Sequence, residues 1–161
     1  MLFRSGSIPA GCSGVTLIPE LFPGGFSGKL GGINGFTHET TRSHMYRAAL
    51  EAISYYTLYG LERLQKVGNY KAQDVICVGG GSRNPLWNQI RADVLGIPLK
   101  ALDMKETTAL GAAMTAFIGI GVYKNIQEAF EAIESRFEEY QPGVEMKKYQ
   151  ELYSKFVEKV F

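Results

Sequence analysis

Hydrophobic and polar positions divide this chain into a glycine-broken first part and a regular remainder. Between Pro9 and Gly35, glycines interrupt every apolar run; Val15 to Leu21 reads as a strand and Gly31 to Phe36 as a weaker one. The longest helical pattern then runs from Thr40 or Thr41 to about Val67. Tyr46, Ala49, Leu50, Ile53, Leu61 and Leu64 mark its apolar face, Arg47 and Glu51 form an i,i+4 pair on the other side, and Gly68-Asn69 stops it. Val75 to Val78 is a short β-branched run, read as a buried strand. Three glycines follow it, Gly79, Gly80 and Gly81. Asn84-Pro85 next opens a helix with Leu86, Ile90 and Val94 on one face, for Asn suits the N-cap and Pro, lacking an N–H, suits the first helical position. Gly96 closes that helix, and Pro98 to Leu102 begins a second strand.

The remainder is helical in pattern. A helix rich in small residues (Ala109, Gly111, Ala112, Ala113, Ala116) starts at Thr107 or Thr108, as close packing on a sheet behind a cleft would need. Asn125 to Glu134 reads as a short amphipathic helix with Ile126, Ala129, Phe130 and Ile133 inward. Tyr140 to Gly143 is a turn. The last helix, from about Glu145, carries Tyr149, Leu152, Tyr153, Phe156 and Val160 as one stripe. Met1 to Ser7 matches no element and reads as a frayed tail, so the domain is expected over residues 8–161.

A strand, a glycine turn, a helix and a second strand make an α/β unit with a chemical use. Glycines let backbone approach a ligand, and a helix start offers unpaired N–H groups at the positive end of its dipole. A βα connection that binds nothing remains one reading of the turn. A dinucleotide fingerprint is a second: Gly79-x-Gly81 fits its first half and Asp103 stands where a ribose-binding acid belongs, but position 84 is Asn instead of the third glycine. A P-loop is excluded, because no Gly-Lys-Ser or Gly-Lys-Thr follows.

Composition narrows the field modestly. The chain has 161 residues, 45% hydrophobic and 20% charged, with a formal net charge of +1, and so offers no argument for nucleic acid or an anionic membrane as partner. Its longest apolar stretch, Ala109 to Val122, is broken by three glycines and too short to span a bilayer. No signal peptide is recognisable. Cys12 and Cys77 read as reduced core thiols, which favours a cytoplasmic setting. His38 and His44 lack a third ligand and read as surface histidines, so no metal site is expected. Glu106 reads as an acid favoured by a helix dipole, with a polar contact in the cleft as its alternative.

Three blocks carry a resemblance. Gly79-Gly80-Gly81-Ser82-Arg83-Asn84-Pro85-Leu86-Trp87-Asn88-Gln89-Ile90, continued by Ala92 to Pro98, resembles the adenosine motif of the FGGY carbohydrate kinases. Glu106 to Ala113 resembles the segment after it. Thr40 to Glu51 resembles the branch of that family acting on L-fuculose more than its xylulose-directed relatives. The resemblance implies the C-terminal part of a ribonuclease-H-like lobe of the actin/hexokinase ATPase type. It also implies transfer of the ATP γ-phosphate to a ketose hydroxyl with Mg²⁺, with L-fuculose as substrate and xylulose, ribulose or rhamnulose as alternatives. The ATP contacts implied are the backbone of Gly79, Gly80 and Gly81 at the α-phosphate and ribose, with Ser82, Arg83 and Asn84 around the adenosine. None of Asp74, Asp93 or Asp103 matches the family's catalytic aspartate, and neither phosphate-binding segment of the family occurs. The partner implied is therefore the N-terminal part of the same kinase, and this piece alone is expected to be inactive and prone to self-association.

Overall fold

The structure, a computed structural model, describes residues 5–20, 30–104, 106–133 and 136–160. After a 3-10 turn at Cys12–Gly14, strands β1 (Thr16–Ile18) and β2 (Gly32–Asn34) pair antiparallel, Leu17 opposite Ile33. Helix α1 (Arg42–Gly68) follows. Strand β3 (Val75–Cys77), a 3-10 turn (Gly80–Arg83), helix α2 (Pro85–Leu95) and strand β4 (Leu99–Leu102) then form a strand–helix–strand unit in sequence order. Helices α3 (Thr107–Gly119) and α4 (Ile126–Glu131), strand β5 (Phe137–Tyr140) and helix α5 (Met146–Val160) complete the chain. The second sheet runs β3-β4-β5, with β3 parallel and β5 antiparallel to β4.

Helix ends obey the chemistry of their sequences. Thr41 caps α1, its N–H donating to Nδ1 of His44 at 3.2 Å, so this histidine closes a capping box in the place a glutamate often takes. Asn69 ends the helix in the left-handed region (φ 49°). Asn84 Oδ1 accepts from Trp87 N at 3.3 Å and caps α2, and Gly96 closes it at φ 66°. Asn125 caps α4 by accepting from Glu128 N at 2.9 Å.

The main core lies where α1, α2 and α5 meet: Leu50, Ala52, Tyr55, Ile90, Val94, Tyr149, Tyr153, Phe156 and Val160 are buried together. The stripe expected on the last helix is the stripe that packs, with Leu152 partly buried beside it. Ala92, Leu99, Ala101 and Tyr140 form a smaller cluster between α2 and the sheet.

Several expectations need correction. Strand β3, at the edge of the sheet among the described residues, is only half covered: Ile76 points to an open face and is 58% exposed, and Val78, just past it, is exposed as well. The strand β5 has no counterpart in the sequence pattern, because Phe-Glu-Glu-Tyr carries two carboxylates side by side and only Tyr140 buries. Helix α4 buries Ala129 alone, and Ile126 and Phe130 stand in solvent. Helix α3 forms where expected, but it packs on α4 and not closely on the sheet; Met114 is its one buried residue among the described ones. Within the stretch read as a tail, Ser5 is buried and its carbonyl accepts from Arg47 Nη1 at 3.4 Å, while residues 1–4 lie outside the described residues.

The largest correction concerns Arg47 and Glu51. They do pair, Nε to Oε1 at 3.0 Å, but with side chains only 8% and 4% exposed. Arg47 Nη2 donates to Tyr149 Oη at 2.8 Å, and that hydroxyl donates on to Glu51 Oε1 at 3.0 Å. Gly11 N–H is shared by both Glu51 oxygens at 3.2 Å. A buried ion pair persists when its remaining donors and acceptors are satisfied, and the N-terminal backbone and α5 satisfy them here. Burial and the nearby Glu51 carboxylate also push the Cys12 thiol well above its ordinary range.

Candidate nucleotide site

The parallel pair β3–β4 aims the carboxyl ends of two strands at the same side of the sheet, where open α/β sheets place their ligands. The chain leaves β3 through Gly79, whose φ of 82° a side chain would oppose, and turns through Gly80–Arg83 into α2. Polar side chains fix this turn. Ser82 Oγ donates to Gly79 O at 2.7 Å, and Asn88 Nδ2, fully buried, donates to Ser82 O at 2.7 Å. Asn84 caps α2 while its Nδ2 donates to Tyr46 Oη at 3.2 Å.

Two concavities flank the turn. One is an open groove of about 900 Å³ walled by Tyr46, Ala49 and Ile53 of α1, by Gly80, Gly81, Arg83 and Asn84, and by Trp87. The other, about 470 Å³, lies over the strand ends between Ser82, Arg83, Asp103, Arg136 and Glu138. The first is apolar with a backbone edge; the second is rich in charge. Tyr46, Ala49 and Ile53, assigned to the core face of α1 by their spacing, are half in solvent or line the groove instead.

Within this geometry the expected ATP contacts separate by role. Gly80 has open space where a side chain would stand, so its backbone is reachable from the groove. Gly81 is a glycine for an internal reason: an added Cβ would fall 2.9 Å from the Trp87 ring and 3.1 Å from Arg91. Ser82 is buried and spends its hydroxyl on the turn. Arg83 borders both concavities. Asn84 keeps one edge in the groove and uses its carbonyl as a cap. The signal for Trp87, Asn88 and Arg91 is an aromatic and a cation at i and i+4, with the amide three residues before the cation, on one face of α2.

The three aspartates sit in different surroundings. Asp74 pairs with Lys100 at 2.7 Å, and buried Asp93 accepts from Gln89 Nε2 at 3.1 Å and from Gly143 N–H. Asp103 is exposed at the second cavity, its backbone N–H donating to Arg136 O at 2.9 Å. Glu106 is the N-cap residue of α3 and makes no side-chain cap bond. Among the described residues no three His, Cys, Asp or Glu side chains converge as a metal cage, and no helix is long and apolar enough to cross a membrane. Cys12 and Cys77 are free thiols; Cys12 is buried as expected, whereas Cys77 is half-buried.

The fold is that of sugar kinases with the actin/hexokinase type of ATPase lobe, represented here by part of a lobe. The crystal structure of xylulose kinase from Rhodospirillum rubrum matches at a TM-score of 0.74 with 27% identity, over 98% of this chain and 32% of that one. The structure of Plasmodium falciparum glycerol kinase with ADP matches at 0.74 with 23% identity, over 99% and 34%. The chain belongs to the FGGY family of carbohydrate kinases, whose C-terminal domain it matches over residues 12–120. It is 46% identical over 114 residues to an L-fuculokinase from Escherichia coli O157:H7, covering 71% of this chain. It spans about 24% of that relative's length.

Proposed function

We propose that this chain supplies the adenosine side of an ATP-dependent sugar kinase, and that the whole protein phosphorylates a ketose, L-fuculose to L-fuculose 1-phosphate. The observation that carries the reading is the open backbone of Gly80 at the mouth of an apolar groove, on the carboxyl side of a parallel strand pair. Adenine would lie against Tyr46, Ile53 and Trp87, and the α-phosphate and ribose would meet the turn of Gly79, Gly80 and Gly81. Arg83 would meet the charged part of the nucleotide. ATP brings the transferable phosphoryl group, and Mg²⁺ would arrive on its phosphates, because the residues at the turn offer backbone and amide groups and not a cage of carboxylates. The preference for L-fuculose rests on the similarity to L-fuculokinase. The similarity to xylulose and glycerol kinases keeps other polyols as outcomes of the test.

Removing a proton from the sugar hydroxyl requires an aspartate, and none of Asp74, Asp93 or Asp103 matches the one that the family resemblance implies; the first two are in addition paired within the chain. The chain alone is therefore expected to bind nucleotide and turn over nothing. Calorimetry with ADP and with NAD tests the binding. ADP binding with no NAD response supports the reading; NAD binding, with Asp103 on a ribose hydroxyl, would replace it with the dinucleotide one. Gly80→Val adds a branched side chain at a position with no internal obstruction, so the fold should hold and ADP affinity should fall at least tenfold. An unchanged affinity would place the nucleotide elsewhere.

A further inference from the structure

The glycine turn is held from behind by a chain of contacts that the nucleotide reading does not itself employ. At the end of β3, the Cys77 thiol accepts from Arg91 Nη1 at 2.8 Å. The Arg91 guanidinium lies over the Trp87 ring, 3.4 Å from its centroid, and its Nη1 also donates to Asn88 Oδ1 at 3.5 Å. Trp87 Nε1 in turn donates to Ser54 Oγ on α1 at 3.2 Å, and Ser54 is fully buried and anchored to Leu50 O at 2.8 Å. Strand, turn-side helix and groove-side helix are thus tied through one indole. That indole and that guanidinium are the atoms a Cβ at Gly81 would strike.

A half-buried arginine is commonly matched to a carboxylate. Arg91 instead faces a π system, a thiol and an amide, and no ion pair to it occurs among the described residues. Its planar fork suits that arrangement, stacking flat while its edge donates, and a lysine could reproduce the charge but not the plane. A residue needed only to fill space there would not need to be cationic.

We infer that Arg91 is a positioning residue: it clamps Trp87 against Gly81 and so fixes the backbone shape that the turn offers to a nucleotide. The clamp acts through Trp87, and its consequence for affinity rests on the groove being the nucleotide site. Trp87 is the sole tryptophan of the sequence, so its fluorescence reads the clamp directly.

The test compares Arg91→Leu and Arg91→Lys with the unmodified chain by three readouts: tryptophan emission, hydrogen exchange at the Ser82 amide, which donates to Gly79 O at 3.1 Å, and calorimetry with ADP. Arg91→Leu should shift Trp87 emission to the red, speed Ser82 exchange several-fold and weaken ADP about tenfold, the scale of a partly desolvated cation–π contact. Arg91→Lys should recover part of each. Unchanged emission and exchange in a cooperatively melting Arg91→Leu variant would overturn the clamp. Should that variant not fold, Trp87→Phe carries the same test, with faster Ser82 exchange expected and unaltered exchange overturning it. Loss of the emission and exchange signatures in a chain that never bound ADP would support the clamp and refute the nucleotide reading, so the two failures are distinct.

Discussion

Helices α1 and α5, compared with helices α3 and α4, present the opposite relation between sequence and burial. The first pair hides charge: Arg47 and Glu51 lie beneath Tyr149, tied to the N-terminal backbone. The second pair shows grease: Phe117, Ile120, Val122, Ile126 and Phe130 are all exposed, and the Phe117 and Tyr123 rings meet edge to face at 6.2 Å. Polarity alone misplaces both pairs. What decides is the partner. A charged pair can be buried when three elements bring it donors and acceptors, and an apolar helix stays wet when the described chain brings it no second surface.

The comparison breaks most readily at Glu51. Glu51→Ala would leave the Arg47 guanidinium, Tyr149 hydroxyl and Gly11 N–H without their shared acceptor, and urea denaturation should show a loss of about 3–5 kcal/mol. Replacing both partners, Arg47→Met with Glu51→Leu, should cost far less, since no charge is then stranded. Equal losses in the two variants would mean that the network contributes by packing alone.

A matched pair of isoleucines sharpens the same point. Ile90 is 2% exposed at the junction of α1, α2 and α5, and truncation to Ala should cost about 2–5 kcal/mol. Ile120 is 74% exposed, and Ile120→Ala should stay within about 0.5 kcal/mol. A large loss at Ile120 would show that the α3 end is packed in solution.

The smallest effect is on association. The exposed face of α3 and the edge of β3, unpaired among the described residues and with Ile76 outward, favour contact between copies. Light scattering over a dilution series should show mass rising with concentration, and Phe117→Ser with Ile120→Ser should lower it. A single 17.8 kDa species at high concentration would rule out that expectation.

Much of the fold was legible because its elements announce their ends: Thr41, Asn84, Gly96 and Asn125 stand where the helices start and stop. The glycine turn was legible as a turn for the same reason. What the sequence concealed depends on contacts distant along the chain. Tyr149 is 102 residues from Arg47, so no local period foretells their bond. The edge position of β3 and the existence of β5 follow from pairing across the sheet, which alternation within Phe-Glu-Glu-Tyr does not encode. At the site, the glycines of the turn are visible in the sequence, but the atoms that crowd Gly81 belong to Trp87 and Arg91, which only the folded helix brings there.

The most direct test of the central claim is a residue-resolved one: titration of the ¹⁵N-labelled chain with ADP, following backbone amide shifts. Shifts concentrated at Gly79, Gly80, Gly81, Arg83 and Asn84, with the groove-lining Tyr46 and Trp87 joining them and Tyr149 and Val160 still, are what the account predicts. Shifts confined to Asp103, Arg136 and Glu138, or no shifts at millimolar ADP, would contradict it.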